Sequence, residues 1–311
     1  MLKRKLFWGF LIFLLFFSAA FCLKPLFFPK PLVVPDLLPF PILRPSPQPL
    51  QTTLVAVGDI MLGRMVNVKM QEKKDFQYPF LKTAELLALA DLTFGNLESA
   101  IVKNCPTTET GMVFCARPES IKGLKFAGFD VLSIANNHIL NYGQDGRKQT
   151  IELLKQNSIL FSDSNKVTVF AEGLRFGFLS FDLTANNNSK PVLEKVKENL
   201  SLVDILVVSL HWGVEYAQQP LSWQKQLAHQ IIDAGAKVII GHHPHVIQPT
   251  EKYKKGLIFY SLGNFVFDQP WSEETKKGKI AKIVFEDKEI KSFAEIPVYI
   301  IDYCQPQIKQ N

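Results

Sequence analysis

Three of the six histidines of this 311-residue chain fall within four positions, in Gly241-His242-His243-Pro244-His245. The apolar run just before them, Val238-Ile239-Ile240, reads as a buried strand. Imidazoles two residues apart at a strand end suit a metal ion. Gly241 is expected to let the backbone turn there, and Pro244 to fix the spacing of His243 and His245. A surface loop that happens to be rich in histidine is the alternative. Four other strand ends bear on the choice, because Asp59, Glu98, Asn137-His138 and His211 each follow a run of strand character. Asp59 and Glu98 supply anionic oxygens, and Glu98 has the reach to bridge two cations. Asn137 offers an amide oxygen, and His211, His243 and His245 offer ring nitrogens. Such mixed ligation suits Mn, Fe or Zn rather than a thiolate-bound metal. Two such ions, about 3.5–4 Å apart, lower the pKa of a bridging water and clamp an in-line displacement at phosphorus. His138 is placed to act as catalytic proton donor to a leaving group.

The elements that must position these residues alternate. Strands are predicted at 53–57, 91–94, 131–134, 205–210 and 237–240, with helices at 80–90, 120–127, 144–155, 192–200 and 222–234. A hairpin is expected around Glu172-Gly173, and three or four antiparallel strands across 256–300. The alternation predicts an α/β fold with a mostly parallel sheet. The C-terminal edge of such a sheet is where ligands bind, and all the metal-competent residues sit on that edge.

The charge distribution excludes a nucleic-acid function. Of the formal net charge of +6, residues 1–50 carry +5, as Lys3, Arg4, Lys5, Lys24, Lys30 and Arg44 against Asp36, which leaves +1 for the rest. No basic stripe with interleaved aromatics follows. Lys3-Arg4-Lys5 precedes an apolar stretch from Leu6 to Leu23, so residues 1–24 are expected to be a transmembrane anchor or a signal segment. The basic flank stays inside, which puts the remainder on the extracytoplasmic side, secreted if the segment is cleaved. Residues 25–50 are a Pro-rich linker, with prolines at 25, 29, 31, 35, 39, 41, 45, 47 and 49, suited to a semi-rigid spacer. The folded domain is expected over 51–311. Cys105 and Cys115 flank a turn-rich stretch and are expected to pair in an oxidising exterior, whereas Cys304 has no evident partner. No Gly-x-Ser-x-Gly elbow supports a serine hydrolase.

Asp59, Asn137-His138, His211 and His243-Pro244-His245, in this order, resemble the calcineurin-like metallophosphoesterase superfamily. Val57-Gly58-Asp59-Ile60-Met61, Gly95-Asn96-Leu97-Glu98, Ala135-Asn136-Asn137-His138, Leu210-His211-Trp212-Gly213-Val214-Glu215-Tyr216, Gly241–His245 and Ser261-Leu262-Gly263-Asn264-Phe265 resemble, more narrowly, its capsule-synthesis (CapA, poly-γ-glutamate) family. The resemblance spans about residues 53–268. It implies a four-layer α/β/β/α sandwich with a dinuclear metal centre. Glu98 would bridge, Asn137, His211 and His243 would hold one ion, and Asp59 and His245 the other. It also implies a membrane-tethered role in synthesis or export of an anionic capsule polymer, with that polymer or its synthesis machinery as partner. The alternatives are a non-catalytic polymer-binding or assembly subunit, or a phosphodiesterase acting on another envelope substrate.

The departures bear on the metals. Phosphoesterases of this fold carry Asp-x-His where this chain has Asp59-Ile60-Met61, so one ion is expected to be short of a ligand, weakly held or completed by solvent. Glu98 stands where a bridging Asp is usual, and Asn141 where capsule-family sequences often place Asp. Arg64 is a candidate fork donor to an anionic substrate group, or else a solvated loop residue. Asn264 is a candidate substrate-binding residue facing the cleft. Glu215 and Tyr216 either support His211 or lie on the surface, His242 is expected to be a neighbour rather than a ligand, and His229 a helix-surface histidine.

Overall fold

The computed structural model describes residues 51–165 and 167–309. The anchor or signal segment expected over 1–24 and the linker over 25–50 lie outside the described residues. Among the described residues no helix is long and apolar enough to cross a membrane.

In chain order the elements are β1 (Gln51–Ile60), α1 (Arg64–Glu72), α2 (Ala84–Ala88), β2 (Leu92–Leu97), β3 (Ala100–Ile101), β4 (Cys115–Ala116), α3 (Ile121–Phe126), β5 (Val131–Ser133), α4 (Gly143–Gln156), β6 (Leu160–Ser162), β7 (Val167–Ala171) and β8 (Leu174–Asp182). There follow α5 (Lys190–Asn199), β9 (Ile205–His211), α6 (Ser222–Asp233), β10 (Val238–His242), β11 (Thr250–Tyr253), β12 (Gly256–Phe259), β13 (Asn264–Val266), β14 (Lys277–Glu286), β15 (Glu289–Ile301) and β16 (Gln305–Ile308). They build two large sheets, as the resemblance to a four-layer sandwich implies, where the alternation alone predicted one. The first runs β16-β15-β14-β1-β2-β5-β6 with β13 beside the end of β1, and the second runs β11-β12-β10-β9-β8-β7.

Period-two alternation explains why the sheets stack. On β1, Val55 and Val57 pack on one face with Val66 and Met70 of α1, Leu87 of α2, Leu124 of α3 and Leu154 of α4. Leu54 and Ala56 point the other way, against Phe176, Phe178, Val207, Ile240 and Phe259 of the second sheet. Leu206, Val208 and Ile239 then turn to the far side, onto Val192 and Val196 of α5 and Leu227 and Ile231 of α6. The packing therefore runs helix, sheet, sheet, helix, with an apolar core at each contact between layers. Strands covered on both faces have no polar positions to alternate, which is why β9, Ile205–His211, is buried throughout.

Several local expectations are corrected. The helix expected over 80–90 shrinks to a 3₁₀ turn at Tyr78–Phe80 and the one-turn α2, and α1 forms where none was expected. Within 256–300, β14 and β15 form an antiparallel hairpin and β12 is antiparallel to β11, as expected, but β12 is parallel to β10 on its other edge and β13 is parallel to β1. Cys105 and Cys115 are joined as expected, Cα to Cα 5.7 Å. A loop closed over ten residues of separation contributes about 3 kcal/mol through the unfolded state. Urea denaturation with and without reductant is expected to differ by that amount or less.

Candidate functional site

The two sheets bring their C-terminal strand ends to one place. β1 delivers Asp59, the end of β2 delivers Glu98, the turn after β5 delivers Asn137 and His138, β9 ends on His211, and β10 ends on His242. Register fixes their heights: Asp59 lies beside Asn96, and His242 beside His211. Gly241 does not turn the backbone. It is a strand residue, and its role is close approach, because a Cβ there would sit 2.0 Å from the Tyr260 carbonyl oxygen. The turn is made by His243 and His245 themselves, at φ of 94° and 57°. Non-glycine residues in that region cost on the order of 1–3 kcal/mol each, so the packing around them must enforce it. Part of that enforcement is the His243 N–H, which donates to Asp59 Oδ2 at 3.2 Å.

Glu98 sits at the centre. It is fully buried. As an ionised carboxylate it has no hydrogen-bond donor to meet either oxygen, whereas its protonated form can donate to Asp59. His245 Nε2 is 3.6 Å from Glu98 Oε1, and the Nε2 atoms of His138 and His211 are each 3.9 Å from it. These separations are too long for hydrogen bonds, yet two donors about 2.0–2.2 Å from a shared ion span up to that range. Burial, then the nearby charges of Asp59 and Glu215, hold the Glu98 carboxyl well above its ordinary pKa. Asp59 goes the other way. Burial pushes it up, but the imidazoles of His242 and His245, with Nδ1 atoms 3.1 and 3.3 Å from its oxygens, together outweigh burial and leave it well below the usual range. Burial lowers the pKa of His211 and His243, which favours the neutral imidazole, the form that ligates metals. Donor atoms of Asp59, Glu98 and His211 lie within 4.8 Å of one another, as do those of Glu215, His243 and His245. Asn137 Oδ1 is 3.0 Å from His211 Nε2. Carboxylates, neutral imidazoles and an amide oxygen converging on a carboxylate without a protein partner fit a divalent cation.

Comparison with known proteins shows the family. The sequence signature of the bacterial capsule synthesis protein PGA_cap matches residues 53–269, which include every residue of the cluster. The chain belongs to the bacterial capsule synthesis protein family. The capsule biosynthesis protein CapA of Bacillus anthracis is 33% identical over 278 residues, 80% of this chain and 67% of that one. The PGA biosynthesis protein CapA of Bacillus subtilis (strain 168) is 34% identical over 280 residues, 82% and 73% of the two chains. The crystal structure of a hypothetical protein from Thermus thermophilus shares the fold, with a TM-score of 0.54 at 16% identity, over 79% of this chain and 98% of that one.

In this capsule synthesis family member, two residues expected at the substrate do other work. Arg64 is neither a free fork donor nor a solvated loop residue. It is the first residue of α1, its Nε and Nη2 donate to Asp268 Oδ1, its Nη1 donates to the Gly111 carbonyl at 2.9 Å, and its guanidinium lies 4.6 Å from the Phe114 ring centre. Asn264 is fully buried. Its Nδ2 donates to Gln269 Oε1 at 3.0 Å and to the Thr275 carbonyl at 2.9 Å, while its Oδ1 lies 3.0 Å from His245 Nδ1. Those contacts orient a ligand ring from behind. Asn264→Ala is expected to weaken divalent-metal affinity about 10–100-fold and to lower stability by about 1–3 kcal/mol, read by calorimetric titration and urea denaturation of the same preparation.

His138 lies against Phe114, ring centres 3.9 Å apart, with Nδ1 2.9 Å from Asn141 Oδ1. That oxygen also accepts the Phe114 N–H, so Nδ1 carries the ring proton. Burial lowers the His138 pKa. A lone pair therefore faces Glu98, and donation to a leaving group requires the ring first to take up a proton. Met61 is fully buried among the apolar residues behind β1, and its sulfur accepts the Gly63 N–H at 3.0 Å, so it offers nothing to the cluster.

The residue with least warning in the sequence is Asn96. Its Nδ2 donates to Asp59 Oδ1 at 2.9 Å and lies 3.2 Å from His211 Nδ1, and its Oδ1 accepts from Asn136 at 3.1 Å. Its place in Gly95-Asn96-Leu97-Glu98 was the available signal. His242 behaves as a neighbour, with Nδ1 3.1 Å from Asp59 Oδ1, and His229 pairs with Glu251 on the outside of α6. A cleft of about 470 Å³, bordered by Asn136, Leu140, Asp163, Ser180 and Asp182, opens beside the cluster. A larger apolar groove of about 600 Å³, lined by Ile151, Lys155, Phe161 and Val167, shares none of the cluster's residues.

Proposed function

We infer that this protein is a metal-dependent hydrolase of metallophosphoesterase type, acting during synthesis or export of an anionic capsule polymer of poly-γ-glutamate kind. Residues 1–24 tether it to the cell membrane, residues 25–50 space it away, and the domain works on the extracytoplasmic side. The observation that carries the reading is Glu98, a fully buried carboxylate with no protein partner, ringed by imidazoles and facing Asp59. Two ions among Mn, Fe and Zn fit this donor set, with Asp59, Glu98, Asn137, His211, His243 and His245 as ligands. When bound, they would supply a water of lowered pKa and charge to offset an oxyanion. Asn96 and His242 fix the Asp59 carboxylate, Asn264 fixes the His245 ring, and Asn141 fixes the His138 tautomer. His138, lone pair inward, relays a proton between attacking water and leaving group.

The test is hydrolysis. Full-length protein, stripped with chelator and reloaded with Mn²⁺ or Zn²⁺, is expected to cleave a phosphodiester or γ-glutamyl substrate, and His243→Ala to lose about 10²–10³-fold. Equal rates for both proteins would overturn the reading. A second reading, a non-catalytic polymer-assembly subunit that keeps metal for structure, is favoured by Met61, whose place in the core leaves the first motif without its histidine ligand. It predicts that metal-ligand variants still support polymer formation in cells where deletion abolishes it.

A further inference from the structure

We propose that Glu215 is a metal ligand, closing with His243 and His245 a second coordination triad beside Asp59, Glu98 and His211. The inference rests on the metal-centre reading and regroups its ligands, giving His243 and His245 to one ion where the resemblance divides them between two. Four observations carry it.

Donor atoms of Glu215, His243 and His245 lie within 4.8 Å of one another. His243 is nine-tenths buried, and its Nδ1 has no hydrogen-bond partner from the protein. The loop carrying Glu215 is pinned to the histidine loop. The Trp212 N–H donates to the His242 carbonyl at 3.1 Å, the Tyr216 N–H donates to the Pro244 carbonyl at 2.8 Å, and Gln248 Nε2 donates to the Ala217 carbonyl at 2.7 Å. Gly213, at φ 91°, lets that loop turn back over β10, and a Cβ there would collide with the Gln224 side chain 2.8 Å away. Lastly, Glu215 has no Lys or Arg in ion-pair range among the described residues, although it joins Asp59 and Asp182 in crowding negative charge around the buried Glu98. Four carboxylates, Asp59, Glu98, Asp182 and Glu215, gathered among histidines with no Lys or Arg ion-paired to any of them among the described residues, are the charge pattern of a site built for cations. Two imidazoles and one carboxylate are, moreover, a donor set that holds zinc or non-haem iron with coordination positions left open.

The experiment is a Mn²⁺ titration of chelator-stripped full-length protein, with free Mn²⁺ followed by electron paramagnetic resonance. Wild type is expected to take up two ions per chain. Glu215→Gln should keep one, with the second weakened more than about 100-fold, and Glu215→Asp, which retains the carboxylate, should keep two. Because Glu215 is only partly buried, the metal-free Glu215→Gln variant should melt with wild type, which separates ligand loss from misfolding. Two ions of wild-type affinity in Glu215→Gln overturn the assignment. A single ion in wild type overturns the second triad but leaves the Glu98 centre standing, and none removes both.

Discussion

Glu98→Gln is expected to abolish the response of thermal stability to divalent metal. A cation at about 1,000 times its dissociation constant stabilises the wild-type fold by about 4 kcal/mol, which is about 10 °C for a domain of this size. The variant should gain about 2 °C or less. Without metal the order is expected to invert. The folded-state pKa of Glu98 is raised above its unfolded value, by burial first and then by Asp59 and Glu215. Above the ordinary carboxylate range the unfolded chain has therefore lost a proton that the folded chain retains. Stability then falls as pH rises toward the folded pKa. The amide that replaces the carboxyl has no proton to lose in this range, so metal-free Glu98→Gln should overtake metal-free wild type as pH climbs from about 5 to 8. Differential scanning fluorimetry across that range, with and without Mn²⁺, reads both effects. A variant that still gains the full metal shift would exclude Glu98 as a ligand.

Arg64→Ala should be among the most destabilising single changes in the domain, at about 3–5 kcal/mol. The guanidinium and Asp268 are both buried, with side-chain exposures of 7% and 2%. Asp268 Oδ2 also accepts the Met65 N–H at 2.9 Å, at the start of α1. Burial already holds Asp268 above its ordinary pKa, with Arg64 opposing that shift. Removing the arginine strands a carboxylate that can then escape only by protonation. The variant's deficit should thus be smallest near pH 4 and grow as pH rises, because the folded state holds a proton that the unfolded state releases. Arg64→Met with Asp268→Leu is expected to recover much of the loss, since replacing a buried pair together is far milder than breaking it. Urea midpoints at pH 4 and pH 8 decide this. A loss below about 1 kcal/mol would mean that the guanidinium is free, and the substrate role read from sequence would regain its footing.

That substrate role shows where sequence reasoning stops. Arg64 sits just past Asp59 in the chain, so proximity alone drew it toward the cleft, whereas its partner Asp268 lies 204 residues away. Asn264 misleads in the same manner. It does follow a strand into the site, but its amide is consumed by His245, Gln269 and Thr275. What the chain does disclose comes from strand ends. Asp59, Glu98, His211 and the histidines after Ile240 each terminate an apolar run, and parallel strands deliver their C-terminal residues to one edge whatever the loops do. The number of sheets stays hidden in those runs, because a strand buried on both faces reads alike against a helix or against another sheet. The same holds for Gly241, which serves the close approach of the Tyr260 carbonyl instead of a turn. Glu215 was readable as a neighbour of His211 but not as a partner of His243, since the contact depends on the hydrogen bond from Tyr216 to the Pro244 carbonyl.

The most direct measurement is an anomalous difference map from crystals grown with Mn²⁺, recorded where manganese scatters anomalously. The metal-centre reading predicts a peak within coordinating distance of Glu98 and His211, and a second beside His243, His245 and Glu215. A map with no peak near Glu98, its carboxylate met only by water or protein donors, would contradict it.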